Sequence, residues 1–129
     1  MSMINNPVQE LVPLLFVENI DNSISFYRDQ LGFEIRMKWE PEDKIQWCRL
    51  ERGSAALMLQ SACPDEDGVR EERIKGVGFY FLCFDALVMF EEFSKKGLNL
   101  EPPRAAFYGM NQLFLKDPDG YELCFQSQV

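Results

Sequence analysis

The apolar positions of this chain change their spacing as it is read, and each change marks a new element. ELVPLLFVE (10–18) is apolar and β-rich and predicts a strand. In NIDNSISFYRDQLG, Ile20, Ile24, Tyr27 and Leu31 stand four, three and four apart, which is one face of a helix. Asn19 or Asp21 can cap its start, and Gly32 stops it. FEIRMKW (33–39) predicts a strand, PEDK a turn, and IQWCRLE (45–51) and SAALMLQ (54–60) two more strands around Arg52–Gly53. The polar stretch 62–75 reads as a solvated linker. VGFYFLCF (77–84) is a strand, and DALVMFEEFSKKG is a helix capped by Asp85 and ended at Gly97. Its Leu87, Phe90 and Phe93 face inward, with Glu91–Lys95 and Glu92–Lys96 paired outside. A short strand near LNLE (98–101), then GMNQLFLK (109–116) and YELCFQS (121–127), complete the chain.

Each half is therefore β-α-β-β-β, and the halves match at an offset near 64–65, with Phe26 over Phe90 and Gly32 over Gly97. The order of elements carries this repeat, because identity between the halves is thin. Neither half can cover both faces of its own sheet, so one continuous α+β domain is expected. Its parts are a first module at about 10–62, a linker at about 63–75 and a second module at about 76–128.

Composition narrows the chemistry. At 129 residues and 47% hydrophobic, the chain suits one domain with a real core. No apolar run approaches the ~20 residues of a membrane span, and the N-terminal MSMINNPVQE has no signal-peptide pattern, so a soluble, cytoplasmic protein is expected. The four cysteines (48, 63, 83, 124) show no CxxC spacing and suit reduced thiols. A net charge of −8, spread along the chain, excludes nucleic acid as a partner and favours cationic ligands if it favours any. The absence of histidine removes Ser/His and Cys/His catalysis and the two-His-one-carboxylate iron site.

The stretch FLKDPDGYELCFQ (114–126) poses a choice between a metal loop and a turn. Aligned as a calcium loop with Gly120 at position 6, Leu115 and Gln126 fall where carboxylates are required, whereas Asp-Pro-Asp-Gly fits a type I turn joining two strands. Together with N-I-x-x-S-x-x-F-Y-R-D-x-L-G-F-E (Asn19–Glu34) and Y-G-M ahead of D-P-D-G-Y (Tyr108–Tyr121), it resembles the glyoxalase/bleomycin-resistance/extradiol-dioxygenase superfamily, also called vicinal oxygen chelate. The resemblance spans about residues 10–127 and implies paired β-α-β-β-β modules whose mostly antiparallel sheet is concave, with helices outside. It specifies fold better than function, since this scaffold hosts lyases, dioxygenases, transferases and metal-free drug-binding proteins.

In metal-dependent members of that superfamily the ligands stand on the first and last strands of each module. Carried over, the positions are Val12, Met58, Phe79 and Cys124, and a slip of one residue rescues none of them, so no metal and no cofactor is expected. Alternation then puts Val12, Leu14, Phe16, Met58, Gln60, Phe79, Phe81, Glu122 and Cys124 on the concave side, and Leu82 and Phe84 under the helices. Trp39, Trp47, Phe107 and Tyr108 are placed near the rim, and Met110 joins them as a candidate ligand-binding residue. Such a lining suits an apolar ligand pocket, and equally a closed core or a dimer interface. Glu122 is the carboxylate to hold a cationic group, or to act as acid or base if desolvated; Cys124 reads as a structural thiol. The resemblance thus implies a metal-free, non-enzymatic homodimer that binds a cationic aromatic small molecule. The alternative is a lyase, isomerase or transferase that uses Glu122.

Overall fold

The computed structural model describes residues 7–62 and 74–129; most of the expected linker lies outside them. The first module holds β1 (Leu14–Val17), α1 (Ile20–Ile24) continued by a π-helical stretch (Ser25–Gln30), β2 (Glu34–Trp39), β3 (Trp47–Arg52) and β4 (Ala55–Ser61). The second holds β5 (Gly78–Leu82), α2 (Ala86–Lys95), β6 (Arg104–Ala105), β7 (Met110–Lys116) and β8 (Glu122–Gln128). Each module makes its own four-stranded sheet, ordered β1-β4-β3-β2 and β5-β8-β7-β6. The pairs β1/β4 and β5/β8 are parallel and the others antiparallel. The two expected modules thus supply two sheets, with no ladder between them among the described strands.

The internal repeat is tighter than the sequence showed. Leu14 pairs with Met58 as Gly78 pairs with Glu122, so the outer strands repeat at an offset of 64. The caps Asn19 and Asp85 lie 66 apart, and the positive-φ glycines Gly32 and Gly97 lie 65 apart. From cap to glycine the first helix is one residue longer, and the π-helical stretch accommodates the extra residue.

The apolar stripe of the first helix is buried as read: Ile20, Ile24, Tyr27 and Leu31 are all in the core. In α2, Ala86 and Phe93 are buried and Phe90 is half-buried, but Leu87 lies exposed. The strand expected at 98–101 is absent; the ladder resumes only at Arg104–Ala105, after Pro102 and Pro103, which have no N–H to donate. Leu15 and Val17 of β1, Cys48 and Leu50 of β3, Leu57 and Leu59 of β4 join Leu113, Leu115, Leu123 and Phe125 in one apolar core shared by both modules.

Two hairpin turns lock the modules together, each reaching the other module's helix. At the β7–β8 turn Gly120 N–H bonds Asp117 O (2.9 Å) and Asp117 N–H bonds Tyr121 O (3.0 Å), with Gly120 at φ 95° where glycine is favoured. Both aspartates are buried and committed. Asp117 accepts from the Tyr27 hydroxyl (2.8 Å) and from Asp119 and Tyr121 N–H (both 2.9 Å). Asp119 accepts from Glu18 N–H (2.9 Å) and the Ser23 hydroxyl (3.4 Å) at the start of α1. Tyr121 returns its hydroxyl to Phe16 O (3.0 Å). The motif is a turn, as expected, and also a clasp.

At the β3–β4 turn, Arg52 Nη1 donates to Leu31 O (2.7 Å), and its guanidinium forks onto Glu92 of α2 (2.6 and 3.0 Å). Glu92 therefore pairs across the modules instead of with Lys96, and the Arg52 hydrogen bond holds its carboxyl below the usual range. Gly32, at φ 80°, is needed here: a Cβ would stand 2.8 Å from Arg52 Nη1.

Burial, together with Asp117, raises the Tyr27 hydroxyl well above its ordinary value. Stability tied to the protonated hydroxyl is thus present below about pH 10 and lost as pH rises through the folded-state value. Tyr27→Phe leaves Asp117 short of a donor and should lower the unfolding free energy by roughly 1–3 kcal/mol near neutrality. Urea titrations at a series of pH values should also show the variant losing less stability than the parent above about pH 10; parallel curves would contradict this assignment.

Candidate functional site

The faces turned away from the helices are open. Residues paired across strands share a face, so the registers define rows of side chains. On the first sheet one row is Trp39–Trp47–Gln60–Phe16, and the next is Met37–Arg49–Met58–Leu14. A β-bulge makes this possible. The β2/β3 register shifts between Ile35 and Met37, so Ile35 packs against the core while Met37 and Trp39 turn to the open face. Trp39 is 61% exposed and Trp47 half-buried, and Leu14, Phe16 and Met37 add exposed apolar surface. Arg49, the cation in this wall, is already clasped: Nε donates to Glu51 (2.7 Å) and Nη2 meets Glu10 (2.9 Å).

The second sheet is amide- and tyrosine-rich. Its rows are Gln112–Gln126–Leu82, Phe114–Cys124–Tyr80 and Lys116–Glu122–Gly78, with Met110 opposite Gln128. Gln112 Nε2 donates to the Tyr108 hydroxyl (2.6 Å) and to Gln126 Oε1 (3.1 Å), which also accepts from Tyr108 (3.3 Å). Phe107, fully exposed, meets Tyr108 edge-on at 5.3 Å on the turn before β7. Partial desolvation, then Cys124, Tyr108 and Glu122, push the Tyr80 hydroxyl up, which places these four groups in one neighbourhood. Glu122 lies exposed on this face. Cys124 is only 1% exposed, and burial pushes its thiol up to about 11; Cys48 is likewise raised to about 11. Thiols so protonated are inert at neutral pH.

Four positions need correction. Phe79 and Phe81 lie on the helix side: Phe81 stacks on Phe125 at 4.6 Å and meets Phe33 at 5.8 Å, and Phe79 tilts against Tyr121 at 6.3 Å. The parallel register sets Phe79 beside Leu123 and Phe81 beside Phe125, which fixes their parity. Correspondingly Leu82 and Phe84, expected under the helices, are exposed, and Tyr80 faces the open side. GFYFLCF is apolar throughout, so alternation gives no parity there. The 64-residue repeat does give it, because Leu15 and Val17 map onto Phe79 and Phe81, and Phe16 onto Tyr80. Trp39, Trp47 and Met58 meet on the first sheet and Tyr108, Met110, Glu122 and Cys124 on the second; Val12 precedes β1 and is half-buried.

Neither row across the first and last strands of the modules suits a metal. One offers Leu14, Met58, Gly78 and Glu122; the other offers Phe16, Gln60, Tyr80 and Cys124. Among the described residues no three His, Cys, Asp or Glu side chains converge to hold an ion. The residues present do not fit a metal centre of the kind the scaffold carries elsewhere. A cleft of about 700 Å³ opens beside β5, lined by Phe33, Ala55, Tyr80, Leu82, Phe84 and Met89 among others, with Arg52 and Glu92 at one end.

Comparison with solved structures places the same architecture in several proteins. The bleomycin-binding protein of bleomycin-producing Streptomyces verticillus, complexed with copper(II)-bleomycin, is 19% identical with a TM-score of 0.69, covering 95% of this chain and 99% of its own. TioX from Micromonospora sp. ML1 is 15% identical, TM-score 0.70, covering 94% and 97%. A lactoylglutathione lyase from Agrobacterium tumefaciens is 20% identical, TM-score 0.68, covering 95% and 96%. These likenesses establish the fold alone. No curated protein shows significant sequence similarity to the chain. The family model for the glyoxalase/bleomycin resistance protein/dioxygenase superfamily matches residues 8–125, and the chain belongs to that superfamily.

Proposed function

We propose that this protein binds a flat aromatic small molecule with a cationic group and retains it unchanged, acting as a cytoplasmic homodimer. The observation that carries the reading is the row Trp39–Trp47–Gln60–Phe16 above Met37–Arg49–Met58–Leu14: two indoles, a phenyl ring and two thioethers on an open sheet face. Such a surface offers stacking area and attracts cations through its ring faces. Glu122, exposed on the other open face, supplies a carboxylate for the cationic end. Related proteins of this fold include one solved with copper(II)-bleomycin, a ligand that gives a first probe.

Sequestration suits the chemistry better than turnover. Four of the groups with displaced protonation have structural tasks: Tyr27 and Asp117 clasp the modules, and Cys48 and Cys124 are held as thiols. Free thiols at Cys48, Cys83 and Cys124 agree with a reducing compartment. The homodimer reading rests on exposed apolar surface along β1 and β5, which end their sheets among the described residues: Leu14 and Phe16 on β1 and Tyr80 and Leu82 on β5, the last 77% exposed. A patch of that kind is rarely left bare, and a second copy covers both edges by two-fold symmetry.

Metal-free bleomycin titrated into the protein should quench tryptophan fluorescence saturably and emerge chemically unaltered. Trp39→Ala and Trp47→Ala should each weaken it by about tenfold. Glu122→Gln should weaken it while sparing an uncharged aromatic probe. Affinity unmoved by both tryptophan changes would sink the site, and product formation abolished by Glu122→Gln would put the enzyme reading first. In sedimentation velocity the parent should run as a dimer and Leu82→Glu as a folded monomer; a monomeric parent would overturn the assembly.

A further inference from the structure

A second groove, of about 400 Å³, lies at the opposite margin of the second sheet from β5, and the reading above makes no use of it. It exists because β6 is only two residues long. Pro102 and Pro103 precede it, and its ladder meets β7 only at Asn111 and Gln112. The rest of β7, through Lys116, has no strand neighbour on that side among the described residues. The segment Leu98–Pro102 stands off as the far wall, and Phe26 of the first helix closes the floor with Leu115. Floor and walls are apolar: Phe26 and Leu115 are buried, Leu98 and Leu100 half-buried, and Phe114 half-exposed.

The charged lining is two cations to one carboxylate, in a chain whose net charge is −8. Arg104 and Lys116 both border the groove. Glu101 belongs to the same lining, and Glu122 stands on the neighbouring strand. Glu101 approaches Arg104 at 3.7 Å with both side chains more than four-fifths exposed, a contact of little strength. Glu122 is the cross-strand partner of Lys116, yet no ion pair forms between them. Among the described residues, most other arginines are spoken for at 3.0 Å or closer, as Arg28, Arg36, Arg49 and Arg52 show.

We propose that this groove is a separate binding site for a small amphipathic carboxylate, a single ring or short alkyl chain lying on Phe26, Leu98 and Phe114 with its carboxylate between Arg104 and Lys116. The volume is at the lower end of the roughly 300–1,000 Å³ of ligand sites, which suits a fragment-sized guest. The site is distinct from the tryptophan row, which lies on the other sheet.

The test is a ¹H–¹⁵N correlation titration of the full chain with benzoate and, separately, benzamide. Benzoate should shift the amides of Asn99–Glu101, Arg104 and Leu115–Lys116 saturably, and benzamide should shift them at least about fivefold more weakly. The double change Arg104→Gln/Lys116→Gln, confined to exposed side chains, should weaken benzoate by about the same factor while leaving the rest of the spectrum in place. Equal response to benzoate and benzamide would overturn the charged recognition. Shifts confined to the indoles of Trp39 and Trp47, or shifts that never saturate, would overturn the site itself.

Discussion

Two buried carboxylates in a four-residue turn hold this molecule in its shape. Asp117 and Asp119 reach out of the second module to the Tyr27 hydroxyl, the Ser23 hydroxyl and the Glu18 amide of the first, while Arg52 reaches back to Glu92. Desolvation pushes the Asp117 carboxyl up, and the hydrogen bonds from Tyr27, Tyr121 and Asp119 pull it the other way. A buried carboxylate is tolerable only when its lone pairs are filled, so the turn and its receptor on α1 are specified together. The duplicated module explains the geometry: each β-hairpin turn projects to the same place relative to its own sheet, and there finds the other module's helix.

That docking decides which faces remain free. With both helices and both turns engaged on one side, the two sheets present their other faces outward. The chain lines the first with tryptophan, phenylalanine and methionine and the second with glutamine and tyrosine. The first face thus offers stacking area and the second hydrogen-bonding groups, the chemistry on which the proposed ligand reading rests.

The fold was largely legible because periodicity is least ambiguous where it matters most. Ile20, Ile24, Tyr27 and Leu31 could stand on one face only as a helix, and Asn19, Asp85 and the turn at 117–120 announce boundaries through well-understood backbone chemistry. The site was legible in part. Trp39 was placed at the rim without any sign of the β2 bulge that sends it there, since a register shift leaves no mark in a single strand's sequence. The parity of β5 failed because its residues are nearly all apolar, and partner strands rather than composition decide which side is buried. Glu92 shows the same limit: a helix-local pair with Lys96 looks sufficient until the fold brings Arg52 closer.

The most direct test of a ligand-retaining, metal-independent open face is native mass spectrometry on protein purified without chelator and then mixed with metal-free bleomycin. The expected result is an unmodified dimer with no divalent metal before addition, and the same dimer carrying intact ligand afterwards. A stoichiometric metal on the ligand-free protein, or a species that never takes up ligand, would contradict it.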